Sequence, residues 1–383
     1  MDNSFIYFDN NATTPIDDRV LDSMLPYFKE NFANANSTHQ AGIAANSAVK
    51  DARNNVAELI NADPTEIIFT SGATESINIA LKGLSLQHTN YKKHIITVKT
   101  EHKAVVDTCK YLESLGFEID YLEVNNDGLI NLEQLKQIIK KDYTLLVSVM
   151  WVNNETGVIQ PIQKISTITH QANALFMTDA TQAVGKLTTD VLENEIDIMC
   201  FSPHKFYGPK GVGALYINKK SKAKILSLQH GGGHEAGLRS GTLNVPAIVG
   251  FGEASKCAIK DMTYNEKHIS EIRNIIENRL LKINGSFLNG SKSQRLYNTL
   301  NICLPNFDAN IFIGKYKNIA VSNGSACTSS LIQSSHVLSA MGLDDTQSLG
   351  SLRISIGKAN KFSDIEKLVQ AIEFECKNGK SLL

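Results

Sequence analysis

The sequence predicts an α/β protein: a large domain on a mostly parallel sheet, joined to a smaller, more mixed domain. Two observations carry this. Through the first two thirds of the chain, short apolar runs of strand length alternate with amphipathic stretches of helix length. Beyond the glycine run 231–233 the alternation gives way to one long helical segment and a shorter mixed tail. With 383 residues, 42% of them hydrophobic, the chain can bury more than one small core.

In order, the strand candidates are Glu66–Thr70, His94–Val98, Phe117–Val124, Thr144–Met150, Ala174–Asp179 and Ile196–Ser202. Between them, Ser76–Lys82, Lys103–Leu115, Leu132–Lys140 and Ile162–Gln171 read as crossover helices. Gly211–Asn218 alternates well enough to be a further, antiparallel strand. The segment from Pro246 to Ile283 reads as one helix long enough to connect two domains. The tail offers strands at Tyr297–Leu304 and Leu352–Ile356 and helices at Ser334–Met341 and Ser363–Glu375. Asp364 and Glu366 sit where acidic groups favour a helix start.

Composition excludes several function classes. Lys plus Arg number 38 against 39 for Asp plus Glu, so no global charge excess would hold a nucleic acid or an anionic membrane. The stretch Met1–Asn11 has no basic region followed by an apolar run, and the longest apolar stretch, Leu145–Val152, is too short to span a bilayer. A soluble, cytoplasmic protein with no membrane or direct nucleic-acid partner is expected. The six cysteines are widely spread and form no C-x-x-C, which argues against a disulfide framework and a zinc site.

Chemistry-bearing residues gather just after strand candidates. Ser71-Gly72-Ala73-Thr74-Glu75 follows one strand and opens a helix, so its N–H groups and the Thr74 hydroxyl suit a phosphate, although an ordinary capped helix start reads the same way. Asp179 ends a very apolar strand, where a buried carboxylate needs a cation such as a protonated pyridine nitrogen; the alternative is a helix N-cap. Lys205, in Ser202-Pro203-His204-Lys205, follows the next strand, where desolvation would lower its pKa and favour an imine with an aldehyde cofactor. Most lysines are simply solvated. The order counts for more: phosphate turn, then Asp, then Lys, as a pyridoxal 5'-phosphate (PLP) site requires. His102, in Thr100-Glu101-His102-Lys103, either stacks on the ring and moves a proton or caps a helix.

With these residues assembled, the chain closely resembles the cysteine desulfurases of the iron–sulfur and nitrogen-fixation type, within the class V aminotransferase-like PLP enzymes. The motifs run from FDNNATTP (Phe8–Pro15) through SGATES, TEHKAV, VNNETG, DATQ, HKFYGPKG, GGGHE and RSGT to SNGSACTS (Ser322–Ser329). The resemblance implies the PLP-dependent transferase (aspartate aminotransferase-like) fold, with residues 15–250 as the large PLP-binding domain and residues 1–14 and 251–383 as the small domain bearing a catalytic-cysteine loop.

It further implies that Lys205 carries the cofactor as a Schiff base, Asp179 pairs with the pyridine nitrogen, Gln182 contacts the ring hydroxyl and His102 stacks on the ring. Ala73, Thr74, Ser202 and His204 would hold the phosphate. Thr242 would reach the phosphate of a neighbouring subunit, implying a homodimer. Asn154 and Arg353 would bind the L-cysteine substrate, Arg353 clamping its carboxylate. Cys327 would take the sulfur as a persulfide, release alanine and pass the sulfur to an acceptor protein. The other five cysteines, Cys109 and Cys200 most clearly, read as packing residues.

The sequence departs from the family pattern at Pro203, where glycine is usual and where the phosphate geometry is in question, and at Ala35, Trp151 and Asn323. It stops at Leu383, soon after the last helix, without the tail that housekeeping desulfurases use to dock a scaffold protein. DNA phosphorothioation, tRNA thiolation and iron–sulfur assembly are the destinations considered, and the short tail resembles the DNA-modification type. A selenocysteine lyase or class V aminotransferase would keep Lys205, Asp179 and His102 without requiring Cys327. A non-enzymatic scaffold would not need the catalytic set at all.

Overall fold

The computed structural model describes residues 5–88, 92–221, 223–324 and 334–378. Its strands are β1 (Ile6–Tyr7), β2 (Ile67–Thr70), β3 (His94–Val98), β4 (Glu118–Leu122), β5 (Thr144–Ser148), β6 (Leu175–Asp179), β7 (Ile198–Phe201), β8 (Gly213–Ile217), β9 (Phe287–Leu288), β10 (Thr299–Cys303), β11 (Ile319–Ala320) and β12 (Ser351–Ser355). Seven of them form one sheet in the order β2-β8-β7-β6-β5-β3-β4. The pairs among β3 to β7 are all parallel, and β8 runs antiparallel to both its neighbours, β2 and β7.

The central strands β5, β6 and β7 are almost continuously apolar because helices cover both faces of the sheet. Helix Ala73–Gln87 packs on helix Lys103–Ser114, helix Ile162–Gln171 packs on β6, and helix Gln40–Leu59 packs on the long helix Val245–Leu280. The parallel strands share one direction, so the turns after β2, β3, β5, β6 and β7 open on one edge.

Helix Gln40–Leu59, 20 residues long, is not anticipated by hydrophobic periodicity. Its buried stripe is made of small residues, Ala45, Val49, Ala52 and Val56, which give little contrast with the polar positions around them. These residues let two helix backbones come close: a Cβ on Gly252 would stand 2.5 Å from Ala52 Cα. The facing helix, Val245–Leu280, has 36 residues. Its second half buries Ile269, Ile272, Ile276 and Leu280, and the helix also packs on helix Phe362–Asn378.

A three-stranded antiparallel sheet, β12-β10-β9, and the parallel pair β1-β11 make up the remaining strands. The N-terminal segment is drawn into this part of the molecule. Phe8 N–H donates to Ala320 O at 2.8 Å, Ser355 N–H donates to Phe8 O at 2.7 Å, and Asn10 N–H donates to Ser355 O at 3.2 Å. The next residue, Asn11, is therefore held at the edge of the large sheet by partners from the far end of the chain. Among the described residues, no helix is long and apolar enough to cross a membrane.

Candidate active site

One cavity of about 720 Å³ lies at the C-terminal edge of the parallel strands. Its lining includes Ala73, Thr74, His102, Asn154, Asp179, Gln182, Ser202, His204, Lys205 and Arg353, ten of the twelve residues singled out in the sequence. Thr242 is exposed and lies outside this lining. Cys327 lies outside the described residues.

At one end, the turn after β2 leads into helix Ala73–Gln87. Ala73 N–H donates to Ser202 Oγ at 2.7 Å, joining this helix start to the end of β7. The amides of the first turn and the Thr74 hydroxyl are the groups that a helix N-terminus offers an anion. Pro203 begins the short 3₁₀ turn Pro203–Lys205, at a position that tolerates the missing N–H and the fixed φ of proline. The Ser202–Ala73 link forms with proline in place of glycine. His204 Nδ1 lies 3.1 Å from Thr13 Oγ1, and burial, then the charges of Lys205, Lys210 and Lys186, push the imidazole down to about 4. It is a neutral polar group.

Lys205 Nζ donates to the backbone carbonyls of Asn11 at 2.8 Å and Ala12 at 2.6 Å. Burial, then Arg353, push the amine down to about 8, against the opposing pull of Asp179 and Asp9. About a tenth of Lys205 is therefore an uncharged nucleophile at pH 7, far more than of an ordinary solvated lysine. Asp179, 5% exposed, accepts a 2.9 Å hydrogen bond from Thr181 N–H. Among the described residues no lysine, arginine or histidine forms an ion pair with it. Glu101, wholly buried, accepts from Met150 N–H. Burial, then the charge of Asp179, drive its carboxyl well above the carboxylate range, so it keeps its proton and only one negative charge faces the cavity there.

His102 does both things expected of it as alternatives. Its Nδ1 accepts from Ala104 N–H at 3.1 Å, capping helix Lys103–Ser114, and its ring lines the cavity. Because Nδ1 is an acceptor, the ring proton sits on Nε2. Burial, then Lys205 and His336, lower the ring's pKa against the pull of Asp179 and Asp107, favouring the neutral tautomer.

On the opposite side, Arg353 of β12 reaches across from the small sheet. Its Nη2 donates to Asp9 Oδ1 at 2.7 Å and its Nη1 to Asn154 O at 3.1 Å, while its buried Nε has no partner among the described residues. The guanidinium is thus pre-oriented in the lining of the cavity.

The family model "Aminotransferase class-V" matches residues 6–368. The curated cysteine desulfurase IscS of Dechloromonas aromatica (strain RCB) is 46% identical over 369 residues, covering 96% of this chain and 91% of that one. A solved NifS-like protein superposes with a TM-score of 0.91 at 39% identity, over 98% of this chain and 100% of that one. SspA, solved in complex with cysteine, superposes with a TM-score of 0.81 at 37% identity, over 92% of this chain and 98% of that one.

The chain belongs to the class V aminotransferases, among the cysteine desulfurases.

Enzymes of this family depend on PLP. The residues of the cavity fit that cofactor. A buried carboxylate without a cationic partner awaits a pyridinium, an amine held near neutrality awaits an aldehyde, and a helix N-terminus awaits a phosphate.

Sequence reasoning did not single out every part of this desulfurase site. Asp9, Asn11 and Ala12 belong to it, two of them through main-chain carbonyls that no side-chain pattern reveals. The FDNNATTP motif that contains them is visible, and its Asn10, Asn11 and Thr14 are polar residues buried as deeply as core. Glu101 and Lys186 were passed over because isolated charged residues are most often solvated.

The five described cysteines are unpaired. Cys109 and Cys376 are pushed up to about 12 and Cys303 to about 11, in each case first by burial, so none of the three is a thiolate nucleophile. Burial raises Cys200 and Cys257 as well.

Proposed function

We propose that the 720 Å³ cavity converts L-cysteine to L-alanine on PLP and that the sulfur is collected on Cys327. The observation that carries this is the meeting of Lys205, Asp179 and the Ala73 helix start on one cavity, where they match the aldehyde, pyridinium and phosphate of PLP. In this reading Lys205 bears the cofactor, Asp179 holds its pyridine nitrogen, Gln182 donates to its ring oxygen and His102 stacks on its ring. Ala73, Thr74, Ser202 and His204 hold its phosphate. Bound in this way, PLP supplies an electron sink for a carbanion at the substrate α-carbon.

The chain's own residues do the rest. Arg353, fixed by Asp9 and the Asn154 carbonyl, takes the substrate carboxylate in a charge-assisted pair, and Asn154 flanks it. Lys205, an amine near neutrality, accepts and returns protons at the α-carbon once substrate has displaced it. The Cys327 thiolate attacks the substrate sulfur: an S–S bond forms and the C–S bond breaks. Its electron pair stays with carbon, which is protonated to give alanine, and the outer sulfur remains on Cys327 as a persulfide.

The finer assignments are part of the proposal. The enzyme is a homodimer in which Thr242 reaches the phosphate of the partner subunit's site, and its exposure in the single chain supports this. The N-terminal segment through residue 14 joins residues 251–383 as the small domain around residues 15–250. The β1-β11 pairing supports that division. The unpaired cysteines agree with a cytoplasmic location. The persulfide passes to an acceptor protein, and the similarity to IscS supports iron–sulfur assembly as the destination.

The deciding experiment compares alanine and sulfide release by the parent and a Cys327→Ser variant, with cysteine and a reductant present. Loss of sulfide release with cofactor binding retained is expected; full turnover would overturn the persulfide step. Labelled-sulfur transfer from the purified enzyme to candidate acceptors tests the destination, and transfer to a nucleic-acid-modifying partner alone would refute iron–sulfur assembly.

A further inference from the structure

Lys186 is a charged residue with no place in the mechanism above, and it is only 7% exposed. Its Nζ donates to Gln182 Oε1 at 2.7 Å. It does not line the large cavity; it lines a second one of about 20 Å³, room for roughly one water, that it shares with Lys205. The other charged groups there are committed elsewhere: Asp17 pairs with Arg19 and Lys358, and Asp261 pairs with Arg19. Tyr207, Tyr297 and Cys257, which also face this space, are pushed up by burial and stay neutral. Lys186 therefore has no counter-ion among the described residues, and burial, then the charge of Lys205, push it down to about 7.

A buried lysine without a carboxylate is costly and calls for a reason. The hydrogen bonds supply one. Gln182 Nε2 donates to Asn11 O at 2.9 Å, and the same carbonyl accepts from Lys205 Nζ at 2.8 Å. Lys186, Gln182, the Asn11 carbonyl and Lys205 thus form one continuous line. A carbonyl can only accept, so the Asn11 end fixes which way the Gln182 amide points, and Lys186 donates to the oxygen this leaves on the other side. The oxygen is spent on Lys186, one N–H is spent on Asn11, and the second N–H remains for the cavity that Gln182 lines. Without Lys186, the Asn11 carbonyl alone would hold that orientation.

We propose that Lys186 is a positioning residue for the reaction: through Gln182 it steadies the donor that meets the negatively charged ring oxygen of PLP, and it sets a positive charge behind that donor. This rests on the reading of Lys205 as the cofactor-bearing lysine.

The test measures PLP dissociation constants and the pH titration of the cofactor's visible absorption for the parent and for Lys186→Met, Lys186→Gln, Gln182→Ala and the Lys186→Met/Gln182→Ala double variant. Lys186→Met should weaken PLP binding about tenfold or more, the loss of one charge-assisted hydrogen bond. It should also move the absorption titration upward by about one unit, because a nearby positive charge no longer opposes protonation. The double variant should bind no more weakly than Gln182→Ala alone. Lys186→Gln, which retains a donor, should recover most of the affinity but not the titration shift.

Additive losses in the double variant, or an unshifted titration in Lys186→Met, would overturn the proposal and leave Lys186 a packing residue. Failure of the underlying reading is seen separately: a Lys205→Ala variant that still traps PLP covalently on borohydride reduction would move the cofactor to another lysine, whatever the Lys186 variants do.

Discussion

Asp9 Oδ1 and Arg353 Nη2 stand 2.7 Å apart, an ion pair that joins the N-terminal segment to β12 across 344 residues of sequence. The pair sits on the rim of the cavity that also holds Lys205. The two charges act on Lys205 in opposite directions, Arg353 lowering the amine and Asp9 raising it. The substrate-side arginine and the cofactor lysine are therefore electrostatically linked through Asp9 of the FDNNATTP motif.

Asp9→Asn removes the charge that favours the Lys205 cation and leaves Arg353 uncompensated. Lys205 should fall below its value of about 8, by about half a unit to one unit. The pH dependence of PLP rebinding to the apoprotein reports this as a shift toward acid. An unchanged profile would show that Asp9 does not act on Lys205.

Arg353→Lys replaces a planar fork with a point charge and loses the pre-orientation by Asp9 and Asn154 O. KM for cysteine should rise about tenfold or more, the worth of one lost charge-assisted hydrogen bond, with a smaller change in kcat. A fall in kcat at constant KM would contradict carboxylate binding.

Asp179→Asn leaves the pyridine nitrogen without an anion in a buried setting. PLP affinity should drop by about 3–5 kcal/mol, roughly 100-fold or more. Equilibrium dialysis of the purified variant measures it, and affinity within threefold of the parent would place the nitrogen elsewhere.

Glu155 makes a pH prediction about stability. It is buried, accepts from Ser335 Oγ at 2.5 Å, and lies so close to Gly324 that a Cβ there would collide with its carboxyl. Burial raises it to about 7. Between its unfolded value of about 4.3 and about 7 the folded protein holds a proton that the unfolded chain has released, so stability falls as pH rises through that window. Glu155→Gln should remove this slope. It should be stabilising by up to roughly 2–3 kcal/mol at pH 8 and show no such gain at pH 4, as denaturant unfolding at the two pH values would reveal.

Gly252→Ala tests the helix pair. The added methyl meets Ala52 Cα at 2.5 Å, backbone that cannot rotate away. Overpacking of this kind costs about 1–3 kcal/mol, set against about 1 kcal/mol of improved helix propensity. A net loss of stability is expected, and a gain would mean that the two helices separate without cost.

The large sheet was legible in the sequence because all of its strands but the edge strand β4 are short, mostly apolar runs closed by turn residues, and the observed β2 to β8 fall inside the expected segments. The crossover helices were legible too: Ile162–Gln171 forms with the bounds expected of it, and Lys103–Ser114 and Leu132–Ile138 start where expected, whereas Ala73–Gln87 runs past the expected Ser76–Lys82 at both ends and begins after Gly72 with no side-chain cap to signal it. Helix Gln40–Leu59 escaped because its stripe is alanine and valine packed against glycine. In the site, the polar residues at strand ends could be picked out one by one. Their partners could not, because Asn11 O and Ala12 O act through the main chain and reach Lys205 over more than 190 residues. The assignment of Cys327 rests on resemblance, since a small-residue loop does not by itself show what its thiol attacks.

The placement of the N-terminal segment has a consequence for the order in which the enzyme comes into being. Asn10 leaves the ribosome among the first residues, and its bonding partner Ser355 follows 345 residues later. At about 5–20 residues per second, roughly 20–70 s separate the two. Through that interval the segment that carries the carbonyls for Lys205 lacks its anchor on β12, with Gln182 and His204 among the residues already made to bond to it. A nascent or prematurely ended chain would carry its lysine without the anchor that Ser355 gives the N-terminal segment, which is tied to the small sheet only once β12 is made.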